Sequence, residues 1–200
     1  MLPLLLRSHA SVEVLVRRPV ELGDDSNLHL YIVDFARLPK PMPEVDDTFI
    51  ALGTTIKVAG SQAAFRGVDL DAVVAVARAA REAGATRLAV VSALGANAAS
   101  GVFYNRVKGE MEAAVGALGY DSVTIARPSL LLGDRAALGQ PVRRGEAWAM
   151  RLATPVMSLV PRSMRPIQAA DVAAALVASA RAAEPGVHVL SSAQMQRAGS

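Results

Sequence analysis

Three polar side chains near the middle of the chain have types and a spacing suited to proton transfer. Tyr104 and Lys108 are four residues apart, so on a helix they project from one face. An ammonium beside a phenol lowers the pKa of the phenol, which can then exchange a proton with a carbonyl or alcohol oxygen. Ser92 precedes Tyr104 and offers a hydroxyl to orient that oxygen. These residues predict a catalytic site for carbonyl and alcohol chemistry.

A Tyr-x-x-x-Lys spacing alone is weakly specific. The alternative makes Tyr104 a partly buried helix residue and Lys108 a solvated surface charge. The context favours the catalytic interpretation, because Ser92 ends an apolar strand pattern and Tyr104 opens the helix pattern that follows. Parallel α/β sheets build their sites at this carboxyl edge.

Short apolar runs alternate with longer alanine-rich helical patterns, which predicts repeated βα units around a parallel sheet covered on both faces. The predicted strands are Val12–Val16, Leu28–Val33, Asp47–Leu52, Arg87–Ser92, Ser122–Ala126 and Gly186–Leu190. The predicted helices are the last turns of one at Leu2–Leu6, then Asp69–Glu82, Phe103–Leu118, Ala169–Ala182 and a short one around Glu146–Ala153. We expect one domain over residues 1–200, with an otherwise irregular segment at 133–166 on the substrate side.

Further polar residues follow the other predicted strands. Arg17 and Arg18 stand where an acid would bind the ribose hydroxyls of NAD, so they favour the 2′-phosphate of NADP, unless they are an ordinary solvated pair. Asp34 suits either the adenine amino group or a simple turn.

Two more strand ends add candidates for cofactor binding. Leu52, Gly53 and Thr54 would pass close to the cofactor ribose, with Gly53 allowing a close approach of the backbone or serving only as a turn glycine. Arg127 and Pro128 would lie on the nicotinamide side, although an ion-pair role for Arg127 is slightly favoured.

The glycine-rich turn that normally follows the first strand of a dinucleotide-binding domain does not occur in this sequence, where the first glycine is Gly23. Either the given sequence starts downstream of that strand, which we favour, or the protein has lost it. The predicted fold is therefore a doubly wound, Rossmann-like α/β domain lacking its first strand and Gly-rich turn.

Composition narrows the function classes. The absence of cysteine excludes disulfides and thiolate chemistry, and the three histidines lack metal-ligand spacing, so no metal is expected. The net charge of +3 is spread along the chain and aromatic residues make up 4%, which argues against nucleic-acid binding. No apolar run is long enough to cross a membrane and no export signal is recognisable, so we expect a cytoplasmic protein.

Several segments together resemble a known group, the atypical short-chain dehydrogenases/reductases, close to bacterial relatives of the Tat-interacting CC3-type oxidoreductase. The segments are Leu52-Gly53-Thr54-Thr55, Ala59-Gly60-Ser61, Ala64-Phe65-Arg66 with Val68-Asp69, the run from Val90 to Ala96, the run from Phe103 to Glu110, and the run from Ala126 to Gly133. The missing glycine turn departs from the family pattern.

The resemblance implies a Rossmann fold, NADP(H) binding, and Ser92, Tyr104 and Lys108 at the positions of the family's catalytic residues. We expect an NADP(H)-dependent oxidoreductase, with NAD as the other possible cofactor, in which Lys108 also holds the nicotinamide ribose. Two alternatives remain: an NADP(H)-binding sensor or scaffold without turnover, and a truncated product that binds no dinucleotide. The substrate and the oligomeric state are not predicted.

Overall fold

The computed structural model describes residues 1–132, 161 and 164–198. The strands in these ranges are β1 (Val12–Val16), β2 (Leu28–Ile32), β3 (Asp47–Ile50), β4 (Arg87–Val91), β5 (Ser122–Arg127), β6 (Leu131–Leu132), β7 (Ile167–Gln168) and β8 (Gly186–Ser191). The helices are α1 (Leu2–Leu6), α2 (Ile56–Ala59), α3 (Gln62–Arg66), α4 (Val73–Glu82), α5 (Phe103–Gly116), α6 (Ala169–Ala182) and α7 (Ser192–Ala198). The predicted helix around Glu146–Ala153 and nearly all of the segment 133–166 lie outside the described residues.

The main sheet contains four parallel strands in the order β3-β4-β5-β8. Their first residues are aligned, since Asp47 pairs with Arg87, Arg87 with Ser122, and Ser122 with Gly186. The carboxyl ends of these strands therefore meet along one edge of the sheet, where the predicted catalytic and ribose-binding residues follow β3 and β4.

Helices cover both faces of this sheet because successive strand residues point to opposite sides. Leu88 and Val90 pack with α4 and α5 in one buried cluster, whereas Ala89 packs with α6 in the other. The predicted doubly wound α/β arrangement is confirmed for these strands.

A π-helical turn at Gly67–Ala72 joins α3 and α4, so the predicted start of this helix at Asp69 is wrong. The helical segment begins earlier because the Ser61 hydroxyl caps α3 by accepting a hydrogen bond from the Ala64 backbone N–H at 3.1 Å. Asp69 lies within the π turn and is 1% exposed. The turn thus carries a carboxylate into the core.

Strands β1 and β2 form a separate parallel pair, and within the described residues no ladder joins β1 to β3. The expectation that such apolar strands are covered on both faces fails for β2, whose Leu30, Tyr31 and Ile32 are all exposed, and for β8, whose Val187 is 51% exposed. In the part of the chain that the structure describes, β2 pairs with β1 alone, so its other edge has no neighbouring strand.

Candidate active site

The candidate site lies at the carboxyl edge of the main sheet. Leu52, Gly53 and Thr54 follow β3, Ser92 follows β4, and Tyr104 and Lys108 belong to the first turns of α5. The parallel topology therefore brings together residues from three separate segments of the chain.

Lys108 is a buried and ion-paired cation of the site. Its residue is 4% exposed, and its Nζ lies 2.7 Å from Oδ1 of the buried Asp69. The interpretation of Lys108 as a solvated surface charge is therefore wrong. A buried ammonium is costly unless it is paired, so Asp69 is the group that lets Lys108 occupy this position.

Asp69 also fixes the loop that follows β3. Its second oxygen, Oδ2, accepts a hydrogen bond from the Thr54 backbone N–H at 2.8 Å. A Cβ added to Gly53 would lie 3.4 Å from Asp69 Oδ1 and 4.0 Å from Lys108 Nζ. The glycine thus leaves the backbone of this loop close to the buried ion pair.

Tyr104 is partly buried and its ring packs against Phe65, with 5.4 Å between ring centroids. Burial and the nearby charge of Asp69 raise the pKa of Tyr104 above its ordinary value. The expectation that Lys108 lowers this pKa is wrong for the structure described, because Lys108 is paired with Asp69. The phenol is accordingly held in its protonated form, the form that donates a proton.

Ser92 is 5% exposed, and its hydroxyl donates to Oε1 of the buried Glu112 at 2.5 Å. Arg127 binds the same carboxylate through Nη2, at 2.5 Å from Oε2. Arg127 therefore has the ion-pair role that the sequence slightly favoured, with Glu112 as its partner. Because its proton is engaged by Glu112, the Ser92 hydroxyl cannot donate to a substrate oxygen without leaving this bond.

The loop at 95–100 is packed tightly on α5 at Gly109. A Cβ at this position would lie 2.1 Å from the Ala98 backbone nitrogen. The contact is reinforced by the hydrogen bond from the Asn97 backbone N–H to the Asn105 carbonyl at 2.9 Å. Just before this loop, the Leu94 N–H donates to the carbonyl of the buried Pro128 at 2.9 Å. Gly109 therefore sets how closely the segment after Ser92 approaches Tyr104 and Lys108.

The remaining predicted cofactor residues follow β1 and β2, the strand pair outside the main sheet. Arg17 and Arg18 are exposed directly after β1, and the described part of the chain provides no ion pair for either. Asp34 is exposed and accepts from the Ala36 N–H at 2.9 Å, which is the turn role that the sequence left open. Their contribution to cofactor binding stays a prediction.

Sequence reasoning assigned no role to Asp69 and Glu112. Glu112 lies four residues after Lys108, on the buried face of α5 with Met111 and Val115, so its position on an apolar stripe was an available signal. Asp69 is only the first residue of the predicted helix, and no local pattern marks the π turn that buries it.

Comparison with known proteins identifies relatives for most of the chain. Protein HTATIP2 of Rattus norvegicus is 33% identical over 168 residues, which cover 76% of this chain and 67% of the relative. The protein named "FMP52, mitochondrial" of Debaryomyces hansenii is 37% identical over 129 residues, which cover 62% of this chain and 57% of the relative. The chain thus spans about two-thirds of the first relative and less of the second. No family model matches the sequence.

Solved structures share the fold at low sequence identity. MoeE5 in complex with UDP-glucose and NAD has a TM-score of 0.68 at 18% identity, with 94% of this chain and 70% of MoeE5 covered. The Bordetella bronchiseptica enzyme WbmG in complex with NAD has a TM-score of 0.63 at 14% identity, with 95% of this chain and 67% of WbmG covered. This likeness establishes the predicted Rossmann-type fold.

The expectation of a cytoplasmic protein is wrong by the same comparisons, because several fungal relatives are named as mitochondrial proteins. Among the described residues, no helix has the length and apolar character needed to span a membrane. The described residues likewise contain no cluster of three potential metal ligands.

Proposed function

The chain belongs to the HTATIP2/FMP52 family of atypical short-chain dehydrogenases/reductases with an NAD(P)-binding Rossmann fold, and we propose that it is a nicotinamide-dependent oxidoreductase acting on a carbonyl or alcohol. The observation that carries the proposal is the buried, ion-paired Lys108 one helical turn after the partly buried Tyr104 on α5, at the carboxyl edge of the sheet.

The residues at this edge fit a nicotinamide ribose. Lys108 offers a buried ammonium for the ribose hydroxyls, and the backbone at Gly53 has no side chain to block their approach. A bound dinucleotide supplies hydride transfer. Lys108 then orients the cofactor, while Arg17 and Arg18 are proposed to favour the 2′-phosphate of NADP(H).

Tyr104 is proposed as the proton donor to the substrate oxygen. Its raised pKa keeps the phenol protonated at neutral pH, which suits reduction of a carbonyl more than oxidation of an alcohol. Ser92 would orient the oxygen only after its hydroxyl leaves Glu112. We therefore assign proton donation to Tyr104 and treat Ser92 as a secondary contact.

The engaged hydroxyl of Ser92 also favours a second candidate function, an NADP(H)-binding sensor or scaffold without turnover. In that case the Ser92–Glu112–Arg127 network is structural, and the dinucleotide is bound but not consumed.

Turnover separates the two functions. NADPH oxidation is measured with a panel of aldehydes and ketones for the unaltered chain, for Tyr104→Phe and for the control Tyr31→Phe, whose tyrosine lies exposed on β2. We expect Tyr104→Phe to lower kcat by about 10²–10⁴-fold while NADPH binding is retained, because a general acid is lost. Turnover that Tyr104→Phe leaves intact would contradict the role of Tyr104, and NADPH binding without turnover on any substrate would favour the sensor.

A further inference from the structure

Four large apolar side chains, which form what we call the apolar patch, are exposed beside the candidate active site. They are Leu94, Val102, Leu130 and Met164, with exposed fractions from 41% for Leu94 to 64% for Leu130. Leu94 follows β4, Leu130 follows β5, and Val102 directly precedes α5, so these three lie at the carboxyl edge of the main sheet. Apolar side chains scattered singly on a surface need no explanation, but a group of them at one site marks a place where a ligand binds.

Hydrogen bonds hold together the chain segments that carry the patch. The Leu94 backbone N–H donates to the carbonyl of Pro128, which follows β5, at 2.9 Å. The hydroxyl of the next residue, Ser129, donates to the carbonyl of Arg165, the residue after Met164. The segments after β4, after β5 and before β7 therefore lie side by side.

The apolar patch adjoins the proposed proton donor. Val102 lies two residues before Tyr104, at the N-cap of α5. On the side of β4, a Cβ added to Gly95 would lie 3.2 Å from Nδ2 of Asn105, so the residue after Leu94 packs against the residue after Tyr104. A substrate whose carbonyl oxygen reaches Tyr104 would thus extend over apolar side chains.

We propose that the substrate is an aldehyde or ketone with an apolar body, and that the apolar patch binds this body. The inference rests on the proposed function and specifies the substrate class of the same site. An apolar ligand and the patch both gain free energy when their contact surfaces leave water. A hydroxylated or charged ligand would lose water there without gaining hydrogen bonds from the aliphatic side chains of the patch.

The test measures NADPH oxidation by the full chain with straight-chain aldehydes from propanal to heptanal. Burial of one methylene group changes affinity by about fourfold, so kcat/KM should rise by about fourfold with each added carbon until the patch is covered.

Two patch variants show where the aldehyde chain binds. In Leu94→Ser and Leu130→Ser, we expect KM for heptanal to rise by about tenfold while kcat/KM for propanal is retained, because only the longer chain reaches these side chains. The matched control is Ile32→Ser, which changes an equally exposed apolar residue on β2 and should keep the dependence on chain length.

Primary amides of the same chain lengths give a readout that does not need turnover, because an amide keeps the carbonyl group and is not reduced. Their Kd is measured by calorimetry in the presence of NADPH. We expect Kd to fall by about fourfold with each added carbon, and this dependence to be weakened in both patch variants and kept in the control.

The outcomes separate this inference from the proposed function. Turnover and amide binding that do not depend on chain length, or a dependence that both patch variants keep in full, would overturn the apolar substrate and leave the oxidoreductase intact. Amide binding that strengthens with length, without turnover of any aldehyde, would support the apolar site and contradict the oxidoreductase. The absence of both turnover and amide binding would contradict both.

Discussion

At the scale of single residues, Asp69 sets the charge around the proposed proton donor. Its carboxylate binds Lys108 at 2.7 Å and contributes, after burial, to the raised pKa of Tyr104. Asp69→Asn removes the negative charge and leaves the ammonium of Lys108 uncompensated. We therefore expect the pKa of Tyr104 to fall, because both changes favour the ionised phenol.

The pKa of Tyr104 is measured by carbon NMR of tyrosine labelled at Cζ. The neighbouring Asp71 lies exposed in the same π turn, so Asp71→Asn is the matched control and should leave the titration of Tyr104 unchanged. Tyr120, whose hydroxyl donates to the Ala77 carbonyl, gives an internal reference. An unchanged Tyr104 pKa in Asp69→Asn would mean that Asp69 only positions Lys108.

At the scale of elements, the approach of the loop at 95–100 to α5 depends on Gly109. A Cβ at Gly109 would meet the Asn97 and Ala98 backbone at about 2 Å, a contact that backbone atoms must move to relieve. We expect Gly109→Ala to lower the free energy of unfolding by about 1–3 kcal/mol and to weaken NADPH binding, because the segment after Ser92 shifts.

The matched control is Gly116→Ala in the last turn of the same helix. Its added Cβ would lie 3.7 Å from Val187, an ordinary contact, and alanine is the better helix former. Urea denaturation should show no loss of stability for this variant. Equal stability of both variants would contradict the packing described at Gly109.

Elements with strong local patterns were predictable from the sequence. The apolar runs predicted β1 and the start of every strand in the main sheet, and α6 has the predicted bounds, because apolar runs and helical periodicity are local signals. The Tyr104–Lys108 spacing likewise placed both residues on one helix. What the sequence did not reveal depends on contacts distant along the chain.

One such contact is the pairing of Asp69 with Lys108. Asp69 reaches Lys108 only because a π turn rotates it inward, and its sequence neighbours look like an ordinary helix start.

At the scale of the whole molecule, Asp47 connects the segment before β1 with the main sheet. It binds His9, which precedes β1, and Arg87 of β4. Burial alone would raise the pKa of Asp47, but the hydrogen bonds from Arg87 and His9 outweigh it and lower the pKa below its ordinary value of 3.8. A carboxyl whose pKa is lower in the folded state stabilises the fold above its ordinary pKa, and this stability is lost as pH falls through the lowered value.

Asp47→Asn should therefore be less stable than the unaltered chain at pH 7, by about 1 kcal/mol, and should lose less stability on acidification below about pH 4. Asp46→Asn, which changes the adjacent exposed acid, is the control and should keep the acid dependence of the unaltered chain. Urea denaturation across this pH range provides the comparison. Identical acid profiles for Asp47→Asn and the unaltered chain would show that Asp47 does not couple pH to stability.

The claim that the buried lysine serves a nicotinamide dinucleotide is tested most directly by calorimetric titration of the folded chain with NADPH. The unaltered chain is compared with Lys108→Met and with Lys40→Met, a change at an exposed lysine outside the site. Saturable binding of one NADPH per chain is expected, weakened by about tenfold or more in Lys108→Met, since a charge-assisted hydrogen bond is lost, and unchanged in Lys40→Met. No saturable binding by the unaltered chain, or equal affinity of Lys108→Met, would contradict the account.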